Sequence, residues 1–250
     1  MARLALISDI HANREALEAV MRDVNSVGVD LVICLGDVVG YGPDPEVCLD
    51  IVAGACGVMI RGNHDEAALR HEVAESFNDR ARRAMDFTRD RMSQGLTMLI
   101  ESMRDSAEIE GVTFTHGCFG PRPFRYVWSP DEAAYAFEHL PTAIGAVGHT
   151  HIPGVFVRHT RVRDSRGAVD CFESPSGVEV SLSTAARVIV NPGSVGQPRD
   201  RNPDASWGLL DTDRRTFRVR RVSYDIDAVQ RKMERLGLPT YLGERLRVGA

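Results

Sequence analysis

Five short, uninterrupted apolar runs, each followed at once by aspartate, asparagine or histidine, constrain this chain more than any other feature. Leu4 to Ser8 leads to Asp9 and His11, Leu31 to Leu35 to Gly36-Asp37, and Val58 to Ile60 to Gly62-Asn63-His64-Asp65. Val112 to Thr115 leads to His116-Gly117, and Ile144 to Val147 to Gly148-His149-Thr150-His151. Runs of this length and apolarity are the pattern of strands buried on both faces. The polar groups that close them are therefore expected to meet at one end of a sheet.

Between the first three runs the periodicity turns helical. Asn13 is placed to cap a helix carrying Leu17, Val20, Met21 and Val24 on one face, and Glu46 to Val52 follows Pro43 and Pro45 as a shorter one. Strand, helix, strand, helix, strand implies parallel strands joined by right-handed crossovers, an α/β core. Residues 66–104 are charged and helix-rich, with Phe77, Ala81, Ala84, Met85, Thr88 and Met92 near helical spacing and a break at Ser93-Gln94-Gly95. This segment reads as an insertion over the sheet, with Met98 and Met103 in a packing stripe; it caps the pocket or forms a contact between copies of the chain. After His151 come strands at Gly154 to His159, Val178 to Leu182, Arg187 to Val190, Ser206 to Leu210 and Phe217 to Val222, suggesting a second sheet of antiparallel hairpins. Arg163 to Gly177 reads as an exposed hairpin excursion and Asp225 to Leu236 as a closing helix. With no repeat, low-complexity tract or linker, residues 1–250 are expected to form a single domain.

Composition excludes several roles. No apolar stretch approaches the ~20 residues needed to span a bilayer, and the N-terminus lacks the features of a signal peptide, so a cytoplasmic location is expected. Five scattered cysteines without a C-x-x-C pair argue against a disulfide framework and a zinc–thiolate site. A formal charge of -5 argues against broad attraction to nucleic acid. The densest basic cluster, Arg214 to Arg221, alternates with Phe217 and Val219 and reads as a strand with one solvated basic face.

The chemistry lies in the run endings. Asp9 and His11 are two residues apart, so the strand period would put both on one side of the chain and let them hold one face of a metal. The Asp37 carboxylate has two oxygens, enough to bridge cations about 3.5–4 Å apart. Asn63 offers a neutral oxygen, His116 an imidazole, and His149 and His151 are spaced to serve two neighbouring ions. Singly, His116 and His149 read as hydrogen-bonded core histidines and Asp37 as a helix cap; jointly the residues are the ligand inventory of a two-metal hydrolase. Two divalent ions bring four positive charges against the carboxylates of Asp9 and Asp37 and one bridging hydroxide. The net positive charge suits a phosphoryl oxygen and lowers the pKa of bound water.

In this order, the D-x-H, G-D, G-N-H-D, H and G-H-x-H blocks resemble the calcineurin-like metallophosphoesterase superfamily over about residues 3 to 200. Gly36-Asp37-Val38-Val39-Gly40-Tyr41-Gly42-Pro43 and Asn191 to Arg199 look like its small prokaryotic branch of phosphodiesterases and diadenosine-tetraphosphatase-like proteins. The resemblance implies a four-layer α-β-β-α sandwich of two mixed sheets flanked by helices. It implies one metal at Asp9, His11, Asp37 and His151 and a second at Asp37, Asn63, His116 and His149. It also implies that His64, beside Asn63, contacts phosphate and either protonates the leaving oxygen or only binds the phosphate; Asn13 is a separate substrate-binding candidate, with a helix cap as its alternative role. The carboxylate partner of His64 is left open, with Asp65 adjacent; Tyr41, Arg122 and Arg199 are further candidates for the pocket wall.

The expected activity is hydrolysis of small phosphodiesters or phosphomonoesters by attack of a metal-bound hydroxide. The histidine-rich N/O set favours two transition-metal ions among Mn, Fe, Zn, Co and Ni. Two alternatives are a non-catalytic binding subunit on the same fold and a serine/threonine-type protein phosphatase. The full ligand set weighs against the first, and Val-Val-Gly-Tyr-Gly after Asp37, in place of an Asp-Arg-Gly clamp, weighs against the second.

Overall fold

The computed structural model describes residues 2–159, 169–173, 176–182 and 186–250. Three strands, Arg3–Ile7 (β1), Leu31–Cys34 (β2) and Val58–Met59 (β3), run parallel and are joined by helices Arg14–Val27 (α1) and Pro45–Ala55 (α2). Asn13 caps α1 by accepting from the Ala16 N–H at 3.2 Å, and Pro45 opens α2 where a missing N–H costs nothing. Four helices follow: Asn63–Leu69 (α3), His71–Ala74 (α4), Asp79–Arg89 (α5) and Gln94–Ser102 (α6). The chain continues through Ser106–Ile109 (β4), Val112–Thr115 (β5), Pro130–His139 (α7), Ile144–Ala146 (β6), Gly154–His159 (β7), Val169–Glu173 (β8) and Glu179–Ser181 (β9). Ala186–Asn191 (β10), Ala205–Asp211 (β11), Thr216–Val222 (β12), Ile226–Arg235 (α8) and Thr240–Glu244 (α9) complete it.

The strands form two six-stranded mixed sheets, ordered β3-β2-β1-β11-β12-β9 and β4-β5-β6-β10-β7-β8. This corrects the expectation of a separate hairpin sheet after His151. The late strands are shared out, with β11, β12 and β9 extending the first sheet and β10, β7 and β8 the second. Strand β1 shows why the sheets stack: Leu4 and Leu6 join Phe114, Val188, Val190 and Phe217 in a core between the sheets, whereas Ala5 and Ile7 pack with Leu17, Val20 and Leu49 of α1 and α2. Phe137 of α7 and Ile189 of β10 form the matching outer layer on the second sheet. The result is helix, sheet, sheet, helix.

The helical segment divides its work. Leu96, Ile100 and Met103 pack on the first sheet, whereas Ala84 of α5 meets Val229 and Met233 of α8; Met98, expected in the packing stripe, is 60% exposed. The arginines of β12 meet acids on both faces of the strand, Arg220 pairing with Asp23, Arg218 with Glu179 and Arg221 with Asp200. Of the expected hairpin excursion, Val169–Glu173 is strand β8 and lies beside β7; 163–168 and 174–175 fall outside the described residues. No helix among the described residues is long and apolar enough to cross a membrane.

Candidate metal centre

Strands β1, β2 and β3 of one sheet and β5 and β6 of the other point the same ends at one buried site. Asp9, His11, Asp37, His64, His116, His149 and His151 are each 5% exposed or less. The loops carrying them are stitched by backbone hydrogen bonds: Asp9 N–H to Gly36 C=O, His11 N–H to Asp37 C=O, Gly148 N–H to His116 C=O and Gly196 N–H to Asp9 C=O. The strand period does not set the Asp9–His11 direction, because β1 ends at Ile7. Both residues adopt left-handed backbone, φ 54° and 49°, as do Asp37, His149 and His151 at 54°, 66° and 61°. Non-glycine residues rarely tolerate that region, and five together at one site store strain that the stitched loops must hold. Glycines allow the close approach: a Cβ on Gly36, itself at φ 104°, would lie 2.6 Å from the Gly62 nitrogen, and one on Gly62 would strike the Asp37 carboxylate.

The side chains fall into two groups sharing one carboxylate. In the first, the ring nitrogens of His11 and His151 (both Nε2) lie 3.1 Å apart, and Asp9 Oδ1 is 3.2 Å from His151 Nε2. Each Nδ1 faces a carbonyl, His11 that of Val39 at 3.1 Å and His151 that of Gln197 at 2.6 Å, and so must donate. Burial, with their mutual repulsion, holds the His11 ring well below its ordinary value, and burial with the Arg199 charge also lowers His151. Burial thus disfavours a proton on either ring where the two Nε2 atoms face each other and the Asp9 carboxylate. A cation resolves that arrangement.

In the second group His116 Nε2 is 3.1 Å from His149 Nδ1 and 3.3 Å from Asp37 Oδ2, while its Nδ1 donates to the Leu35 carbonyl at 2.8 Å. Burial works against charge on His116, but the Asp37 carboxylate outweighs it and lifts the ring to about 9. Burial and the His116 charge take His149 down to about 3. One proton therefore sits in this pair. Asp37 Oδ2 is also 3.7 Å from His11 Nε2, so this one oxygen faces both groups. Asn63 Oδ1 and Asp9 Oδ1 are buried with no hydrogen-bond partner, a cost of about 1–3 kcal/mol each that a coordinated cation removes. Carboxylate, amide oxygen and imidazole are a donor set suited to borderline divalent metals. The residues fit metal ions on both sides of Asp37.

The sequence-identified histidine beside Asn63 also arrives here. The His64 ring lies between Tyr41 and Phe77, at 4.5 Å from each, and meets His11 edge-on at 4.9 Å. Its Nδ1 is buried without a partner, and burial takes the ring down to about 4 against the pull of Asp37. Asp65 is not its partner. That carboxylate turns away and accepts the N–H groups of Asp37, Val38, Val39 and Gly62 at 2.8–3.2 Å.

Asn13 takes the structural alternative: its Oδ1 caps α1 and its Nδ2 donates to the Gly196 carbonyl at 2.9 Å. The Asn191-Pro-Gly-Ser turn is a latch, Asn191 holding the Gly148 carbonyl at 2.8 Å and Ser194 the Asp9 carbonyl at 2.7 Å. Tyr126, unremarked in the sequence, stacks on His149 at 3.9 Å and on Trp128 at 5.0 Å. No spacing signal marks that loop.

Residues 2–215 match the family model for the calcineurin-like phosphoesterase superfamily domain. An uncharacterized protein of Methanocaldococcus jannaschii is 32% identical, the alignment covering 98% of each chain. The phosphodiesterase YfcE of Escherichia coli is 26% identical, over 85% of this chain and 89% of that one. The crystal structure of a metallophosphoesterase from Sphaerobacter thermophilus aligns over 100% of both chains with a TM-score of 0.86 and 34% identity.

Proposed function

The chain belongs to the calcineurin-like phosphoesterase superfamily, and from that membership we propose that it is a dinuclear-metal-dependent phosphodiesterase acting on small phosphate esters. The observation that carries the reading is the pair of ligand groups joined at Asp37 Oδ2, with acceptor atoms that have no donor to meet. Asp9, His11, Asp37 and His151 would hold one ion, and Asp37, Asn63, His116 and His149 the other. Two divalent ions so held would supply Lewis acidity, drawing charge from phosphoryl oxygens and bringing the pKa of water to about 7. The YfcE relative, a phosphodiesterase, favours diesters over monoesters as first substrates to test.

The protein's own groups do the rest. The buried rings exclude bulk water, so charge at the phosphoryl group is felt strongly. In hydrolysis a water oxygen bonds to phosphorus, the ester P–O bond breaks, and a proton reaches the departing oxygen. We assign that proton to His64, an assignment supported by an Nδ1 with no competing partner and by the capacity of an incoming phosphate anion to counter the burial that keeps the ring uncharged.

Metal analysis after Mn²⁺ loading and hydrolysis of bis-p-nitrophenyl phosphate test the reading. Asp37→Ala is expected to lose both ions and all turnover, whereas His64→Ala keeps the metal and slows by roughly 10²–10⁴-fold on esters with alkyl leaving groups. The His64 loss should be much smaller with p-nitrophenolate, which departs without a proton. Fewer than one ion per chain, or no hydrolysis by the loaded protein, would refute the enzyme.

A further inference from the structure

On the Tyr41 side of the metal centre the protein opens a cavity of about 490 Å³, within the usual range for a small-molecule site. Its wall includes Tyr41, Asp79, Arg80, Tyr241 and Arg245. Tyr41 is shared with the centre, since its ring also meets His64 at 4.5 Å and His11 at 4.7 Å. The cavity therefore adjoins the face from which His64 reaches the site.

Two of its lining side chains, Arg80 and Arg245, are cations. The Arg80 guanidinium lies 4.0 Å from the centre of the Tyr241 ring and that of Arg245 lies 5.7 Å from the same ring. Arg199 stands near enough to act electrostatically on Arg245, Tyr41 and His64 together. Among the described residues, none of the three is paired with an Asp or Glu side chain. Arg199 donates to Gln197 Oε1 at 3.1 Å and keeps a buried Nε without a partner, and Arg245 donates to the Ala250 oxygen. Asp79, the acid on this wall, is taken by Arg82.

On β12, by contrast, Arg218, Arg220 and Arg221 each have a carboxylate. Guanidinium groups gathered around one space repel each other and raise a positive potential in it, and their planar donors match phosphate oxygens.

We propose that this cavity is an anion subsite that receives a second phosphate carried by the leaving group of the substrate. The assignment rests on the phosphoesterase reading above and narrows it: preferred substrates are esters or anhydrides whose departing fragment bears its own phosphate. Tyr41 touches the His64 ring and also lines the cavity, so the cavity lies on the side of the departing oxygen that His64 would serve.

The binding test uses inorganic tripolyphosphate titrated calorimetrically into the metal-free protein at low and high salt. Wild type should bind it in a salt-sensitive way, the Arg80→Gln/Arg245→Gln double variant about tenfold or more weaker, and Arg80→Lys/Arg245→Lys in between. Equal binding by wild type and the glutamine variant, or none by wild type, overturns the subsite. With Mn²⁺, the ratio of kcat/KM for a nucleoside polyphosphate to that for bis-p-nitrophenyl phosphate should fall about tenfold in the glutamine variant, mainly through KM. An unchanged ratio removes the subsite and leaves the phosphodiesterase standing. Arginine-dependent tripolyphosphate binding without hydrolysis of either substrate would instead refute the enzyme and support the anion site.

Discussion

The two ligand groups that meet at Asp37 differ in how they stand when no cation is held. Around Asp9, His11 and His151 every ring is tied through Nδ1 to a carbonyl, leaving only lone pairs to converge. Around His116 and His149 one ring is tied to a carbonyl, the other is held by the stacked Tyr126, and a proton occupies the gap. The first group is organised for a cation and unfavourable without one. The second is satisfied by a proton that a cation must displace. The difference predicts unequal affinities, the ion at Asp9, His11 and His151 being the tighter.

The most forceful way to break that comparison is to remove one ring from each group. His151→Ala should lose the tight ion and roughly a thousandfold or more in kcat/KM, since the surviving ligands are those that already hold a proton. His149→Ala should retain one tightly bound ion per chain, with a smaller loss of turnover. Metal content after dialysis is the deciding measurement. Equal retention in both variants would show that the groups are equivalent.

The supports of the two groups also differ, which gives a test of intermediate size. Ser194 holds the Asp9 carbonyl of the first group, Asn191 the Gly148 carbonyl in the loop that carries both His149 and His151, and Asp65 gathers the N–H groups of Asp37, Val38, Val39 and Gly62, next to Asn63 of the second. Asp65→Ala strands four buried donors, and at about 1 kcal/mol or more each the expected loss is on the order of 3–5 kcal/mol. The thermal midpoint should fall accordingly, and the weaker ion should be lost before the tighter one. An Asp65→Ala protein with wild-type midpoint and two bound ions would show that water replaces this carboxylate without cost.

How much of this was legible in the chain follows from the kind of interaction involved. The apolar runs and their polar endings mark local chemistry, so the parallel core, the two mixed sheets implied by the resemblance, and the convergence of Asp9, Asp37, His116, His149 and His151 are all met in the structure. The division of the late strands between the sheets is a matter of long-range pairing. Gly154 to His159 and Ser206 to Leu210 carry the same alternation, and nothing local says which sheet each joins. The left-handed backbone of Asp9 and His11 was equally hidden, because tertiary stitching imposes it against the preference of the residues. Asp65 was visible as an acid but not as a clamp, since its four partners lie on two separate loops. Tyr126 became meaningful only once β5 and β6 had brought its loop over His149.

The smallest test sharpens the comparison through pH. His116 carries its proton up to about 9, so below that value an ion entering the second group must expel it, and its apparent affinity should fall by about tenfold for each pH unit lost. His11 and His151 lie below their ordinary values, so the first group has no proton to expel near neutrality and its affinity should stay flat between about pH 7 and 8.5. Calorimetric titration of the metal-free protein with Mn²⁺ in buffers of different ionisation enthalpy reads both quantities: about one proton released with the weaker ion and close to none with the tighter. Equal proton release at both steps would mean that the His11–His151 pair also holds a proton, and the asymmetry between the two groups would vanish.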